Sequence, residues 1–143
     1  MGYTNYYYIN KEKLAAGIPQ SYIKTIRQLK KIAKENNINV IFSRLNKNEV
    51  VIKGPCEWFS LQAKQDVFHS ERTFRFTKTH EFDYDPYVKV AIMAAANEGL
   101  VSKWSFDCYA GNGNYNEDAC FQEAAKIAAQ IGVEIAPPEI EIA

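Results

Sequence analysis

The sequence predicts an α+β fold: a mostly antiparallel sheet of about five to six strands, three helices, and a buried helix over residues 86–98 at the centre. Three observations carry this. Strand-like stretches bunch together, in the order β, α, four short β, α, β, α and an extended tail, and do not alternate strictly with helices. Residues 87–96 (YVKVAIMAAA) are apolar almost all round, so that helix needs cover on several sides. Residues 73–79 (TFRFTKT) alternate with period two and are rich in β formers, which predicts a central strand feeding that helix.

In chain order, residues 3–9 form the first strand, with Tyr3, Asn5 and Tyr7 on one side and Thr4, Tyr6 and Tyr8 on the other. Residues 10–17 are a loop or a short turn of helix. Tyr22, Ile26, Leu29 and Ala33 recur at helical spacing, with Ile23 and Ile32 widening the stripe. Lys24, Arg27, Lys30, Lys31 and Lys34 make the solvated face of that helix. Residues 39–45 and 49–53 flank Asn46-Lys47-Asn48 as a hairpin, which Gly54-Pro55 breaks. Residues 56–62 are a further short strand or an irregular aromatic segment. Asp85-Pro86 opens the central helix, an oxygen side chain to cap and a ring pre-set for the first turn, and Gly99 closes it in the left-handed conformation. Residues 102–110 return as a strand with Trp104 and Phe106 on one face and Asp107 on the other. Gly111-Asn112-Gly113-Asn114 is a turn, and Cys120, Ala124, Ile127, Ala128 and Ile131 mark the buried stripe of the last helix, which Gly132 ends. Pro137-Pro138 forbids helix in the tail, which is extended over 137–143.

A chain of 143 residues predicts one domain spanning 1–143, and 47% hydrophobic content suffices for a core of its own. Lys plus Arg and Asp plus Glu number 17 each, so the broad basic field of a non-specific nucleic-acid binder is missing and such a partner is not expected. The three cysteines, Cys56, Cys108 and Cys120, are widely spaced, and His69 and His80 are the two histidines; the spacing fits neither a zinc site nor a disulfide framework. No cofactor or metal is expected. No stretch has the length of a membrane span, and residues 1–13 carry no apolar run of signal-peptide length, which predicts a reducing, cytoplasmic setting without membrane contact.

No P-loop, GxSxG, HExxH or paired HxT motif occurs. The densest polar group is Thr77-Lys78-Thr79-His80, preceded by Arg75 and followed by Glu81, Asp83 and Asp85. Read as a ligand-gripping edge, Arg75 and Lys78 would hold a phosphate or carboxylate and the threonines would orient it. His80 has the pKa range of a general base. Asp107, an acid within a strand pattern, would meet those cations if the two strands pair.

The opening Met1-Gly2-Tyr3-Thr4-Asn5-Tyr6-Tyr7 resembles a family of small, mostly phage and prophage proteins that begin MGYTHYW. The resemblance continues at Phe76-Thr77-Lys78-Thr79, where the family has F-C-K-T, at Asp85-Pro86-Tyr87 with its helix, at Phe106-Asp107-Cys108 and at Gln130-Ile131-Gly132, and covers little of residues 10–70. Asn5 stands where the family has His, Tyr7 where it has Trp, and Thr77 where it has Cys. No reaction is established for the family; the resemblance implies a phage accessory protein acting against host defence in the host cytoplasm.

These readings point to binding rather than catalysis. The expected function is sequestration of a small anionic or nucleotide-like ligand, such as a host immune signal, by Tyr3, Asn5, Tyr7, Arg75, Lys78, Thr79 and Asp107, with rings stacking a base and cations holding phosphate. Two alternatives are an inhibitor that binds a host defence protein through Tyr and Trp anchors, and a small nucleotide hydrolase using His80 and Asp107. The tail at 137–143 and the Tyr-rich strand predict a homodimer by strand addition or tail exchange.

Overall fold

The computed structural model describes residues 4–63, 73–80, 82–106 and 119–135. The elements are β1 (Thr4–Ile9), α1 (Lys11–Ala15), α2 (Gln20–Glu35), β2 (Ile41–Ser43), β3 (Glu49–Lys53), β4 (Phe59–Gln62), β5 (Phe74–Lys78), α3 (Asp85–Asn97), β6 (Val101–Phe106) and α4 (Ala119–Gln130). The class is α+β, with six strands and four helices among the described residues. The added helix is α1, inside the stretch read as a loop or short turn. The Asn10 side chain accepts the Lys13 N–H at 3.2 Å as its cap, and Leu14 is buried beneath it.

The strands form two three-stranded antiparallel sheets, β5-β1-β6 and β2-β3-β4, where one sheet was expected. The reason lies in the junction. Beyond Gly54-Pro55 the chain meets β5 through a backbone bond, Glu57 N–H to Lys78 C=O at 3.0 Å, supported by the Lys78 N–H on Glu57 Oε1 at 2.8 Å. Among the described residues the strand at 73–79, read as central, lies at the edge of its sheet, and β1 lies between β5 and β6. Local alternation identifies a strand and is silent on its neighbours, which long-range pairing decides.

Helix α3 is the buried centre. Every position from Tyr87 to Ala95 is buried, and the helix packs against α4, β6, α2 and β1. The Tyr22 hydroxyl of α2 donates to the Ala91 carbonyl at 3.0 Å, and Asn36 Nδ2 donates to the Tyr87 hydroxyl at 3.1 Å, fixing α2 along α3. The stripe Tyr22, Ile23, Ile26, Leu29 and Ala33 is buried as its spacing predicts. Gly99 ends α3 at φ 79°, with the Leu100 N–H returning to the Ala95 carbonyl at 2.9 Å. Asp85 does not cap: the N-cap is Tyr84, which makes no side-chain cap bond, and the Asp85 carboxylate turns inward. Among the described residues no helix is long and apolar enough to cross a membrane.

Burial raises the pKa of three tyrosines. Desolvation is the largest cause at Tyr22, Tyr84 and Tyr87; at Tyr22 the neighbouring Tyr7 and Glu98 add to it, and at Tyr87 Asn36 opposes it while Glu123 and Asp83 add. A phenol whose folded pKa lies above its unfolded value of about 10 stabilises the fold fully below that pH, and the contribution fades as pH climbs toward the folded value. The expected result is a far-UV dichroism signal steady up to about pH 10 and lost above it, with a delayed fraction of the tyrosinate absorbance rising in the same step. Smooth, complete tyrosine titration with the dichroism intact would contradict this.

Candidate functional site

The sheet β5-β1-β6 has two faces of opposite character, and the period-two alternation of β1 and β5 divides the expected site residues between them. Asn5, Tyr7, Thr77 and Thr79 point inward and are all buried. Lys78, between the two threonines, points outward and is exposed. Arg75 has the inward parity, opposite Tyr7, and is half-buried at the sheet edge with its Nη1 on the Phe74 carbonyl at 2.9 Å. Arg75 and Lys78 therefore cannot grip one phosphate from one side. Tyr3 and Asp107 lie outside the described residues, as do His69, Glu81, Cys108, the turn at 111–114 and the tail at 137–143. His80 sits exposed on the turn after β5, with φ 53°.

On the inner face the polar residues meet one another. Asn5 Nδ2 donates to Thr79 Oγ1 at 3.2 Å and to Asp85 Oδ1 at 3.1 Å. Thr79 Oγ1 donates to Asp85 Oδ1, and Lys89 Nζ is paired with Asp85 Oδ2 one helical turn away. Lys89 Nζ also lies 5.1 Å from the centroid of the Phe106 ring. Asn5, Thr79, Asp85 and Lys89 are each no more than 1% exposed, so the cluster is closed to a ligand from solvent. What it does is join β1, β5 and α3 around the Asp85–Lys89 ion pair. Tyr7 is likewise structural: its ring packs on Phe59 at 5.4 Å, and its hydroxyl donates to the Ser60 carbonyl at 3.3 Å, across to the second sheet.

The outer face is different. The register sets Tyr6 opposite Phe76 and Ser105, and Tyr8 opposite Phe74 and Lys103. Phe76 is 49% exposed and Phe74 36%. Tyr6 stacks on Phe74 at 5.9 Å and 19°, Tyr8 meets the same ring edge-on at 5.3 Å, and Phe74 and Phe76 lie 6.1 Å apart. Two ammonium groups flank the rings, Lys103 Nζ at 5.2 Å from Tyr8 and Lys78 Nζ at 5.9 Å from Phe76. No acidic residue occupies an outward register position on these three strands. Four rings and two ammonium groups, with no acid at the described outward positions of the three strands, give this face stacking area beside positive charge, and the Glu57 carboxylate stands at its edge on the Lys78 N–H. The alternation of Thr4, Tyr6 and Tyr8 and of Phe74, Phe76 and Lys78 groups these residues on one face once the two strands pair; what packs on the other face decides that this one is open.

Two of the described clefts suit an anion less well. The one beside the N-terminus of α3, about 450 Å³, is lined by Asp83, Asp85 and Glu123. A groove of about 480 Å³ between α2 and β2 carries Lys30 and Lys34 but sits at the C-terminal end of α2, where the helix dipole disfavours negative charge. Among the described residues no group of three or more His, Cys, Asp and Glu side chains could hold a metal ion. No family model, curated protein or solved structure matches the chain.

Proposed function

We propose that the protein binds an anionic, nucleobase-bearing ligand on the outer face of β5-β1-β6, and that its role is to sequester such a ligand, a host immune signal in the phage setting that the resemblance implies. The observation that supports this reading is the cluster of Tyr6, Tyr8, Phe74 and Phe76 between Lys78 and Lys103. Every nucleobase has a π-face, and an ammonium beside each end of the ring cluster provides for phosphate. The proposed site thus lies on the outer rather than the inner face of β1, with Lys78 the member of the expected set, among the described residues, that stays in it. Among the described residues the face presents rings and ammonium groups, a makeup suited to holding a ligand.

A fluorescence titration with a panel of nucleotides, linear and cyclic, tests this. The Phe76→Ala and Lys78→Ala variants, both at exposed positions, are expected to fold as the parent does, and Phe76→Ala to weaken binding by about 1–3 kcal/mol. Binding that both substitutions leave unchanged would remove the site from this face; a cleaved product after denaturation would replace sequestration by hydrolysis. A second reading has its own support. Trp58 is 58% exposed and Ile41 63%, and such residues anchor protein partners. Capture of a defined host protein that Trp58→Ala abolishes, with no nucleotide bound, would establish that inhibitor in place of the ligand binder.

A further inference from the structure

We infer that the ligand of this face is single-stranded nucleic acid, with at least two successive bases laid on Tyr6, Tyr8, Phe74 and Phe76; this rests on the base-stacking reading above and names its substrate class. The geometry is a platform rather than an enclosure. The rings stand on neighbouring strands at cross-strand positions, Tyr6 opposite Phe76 and Tyr8 opposite Phe74. The rings touch as one cluster, Phe74 meeting Tyr6, Tyr8 and Phe76 at 5.3–6.1 Å, and successive outward positions along each strand are about 6.6 Å apart. That is about twice the rise of 3.4 Å between stacked bases in a duplex strand. The rows therefore receive bases of an extended, unstacked strand and do not match a duplex, whose bases are already covered by their neighbours. Aromatic side chains on a sheet surface are a recurrent way of holding splayed single-stranded bases.

The charges agree with a strand running across the face. Lys103 lies on β6 beside Tyr8, and Lys78 lies on β5 beside Phe76, so the two ammonium groups flank the rings from the two edge strands. A ligand with phosphates on both sides of its bases meets both; a mononucleotide with one phosphate meets one. Affinity separates the two cases further. One stacked base on an open surface multiplies affinity by only about 5- to 150-fold, and each further base multiplies it again. A face of this shape becomes a tight site only for a ligand that brings several bases. The chain as a whole carries no net charge, so binding depends on these local contacts and not on a general basic field.

The test uses the full chain and oligothymidylates and oligouridylates of increasing length, from the mononucleotide upward, with a blunt duplex as control, read by fluorescence anisotropy. Affinity is expected to climb by roughly 5- to 150-fold per added base until the platform is filled. The salt dependence is expected to be shallow, a log–log slope of about −1.4 for two phosphates on Lys78 and Lys103, falling to about half in Lys103→Ala. The duplex should bind no better than single strands bind the Phe74→Ala/Phe76→Ala variant, whose melting temperature confirms that it is folded. A mononucleotide or cyclic nucleotide held as tightly as the longest oligomer, and lost in Phe76→Ala, would overturn the single-strand assignment and leave the stacking site standing. If neither mononucleotides nor oligomers bind in a way that Phe76→Ala weakens, both readings fall.

Discussion

Replacing Lys89 with methionine is expected to destabilise the protein by about 3–5 kcal/mol, the largest loss from any single charged residue described above. Lys89 is fully buried in α3, and its Nζ is the partner of an Asp85 carboxylate that is 1% exposed. Methionine fills a similar volume, so packing changes little. What remains is a carboxylate cut off from water, held by neutral donors from Asn5 and Thr79 alone. Leaving one charge of a buried pair uncompensated costs far more than the pair contributes net. In a chain of this length, about 3–5 kcal/mol lowers the melting temperature by something on the order of 10–15 °C. The Asp85→Asn/Lys89→Met double variant should recover at least about 2 kcal/mol, because the amide oxygen still accepts from Asn5 and Thr79 and the Asp85 charge is gone. Urea midpoints of the two variants and the parent check the pair; a Lys89→Met variant within about 1 kcal/mol of the parent would mean that the charge finds water.

Lys89 also marks where the sequence stops being readable. The helix that contains it was legible: an apolar run with Asp-Pro before it and glycine after it could only be a covered helix, and α3 is one. A lone lysine in such a run is usually at a surface, and only its spacing of four from Asp85 hinted otherwise. Asn5 and Thr79 illustrate the same difficulty. Their polarity reads as exposure until the pairing of β1 with β5 and the start of α3 brings them onto one carboxylate. The two faces of β1 were legible from alternation alone. Which face was open was not, because burial of a strand face depends on what packs there, and here α3 and the second sheet take the inner face of β1. The division into two sheets depends on the joint after Gly54-Pro55, a tertiary arrangement that leaves no periodic trace.

That joint is the place where the smallest substitution should act most strongly. Gly54 has no positive φ, so alanine meets no backbone strain there, and it is the ring of Tyr84 that forbids it: a Cβ at Gly54 would lie 2.3 Å from Cδ2 and Cε2 of that ring. Tyr84 cannot withdraw. It is fully buried, and its hydroxyl donates to the Glu57 carbonyl at 2.7 Å, in the segment whose N–H holds the Lys78 carbonyl of β5. Gly54→Ala is therefore expected to cost about 3 kcal/mol, at the upper end of overpacking losses. Gly132 gives the contrast: φ is 73° and nothing stands within 4 Å of a Cβ, so alanine there meets conformational strain alone, about 1–2 kcal/mol. Because the displaced ring anchors the segment beside β5, the Gly54→Ala variant should also weaken any ligand held by Phe74, Phe76 and Lys78, whereas Gly132→Ala should leave that affinity alone. Denaturant midpoints and the oligomer titration, run on both variants, separate the two effects. A Gly54→Ala protein as stable as the parent would show that Tyr84 and the joint yield together, and that β5 is less firmly held to the second sheet than its hydrogen bonds indicate.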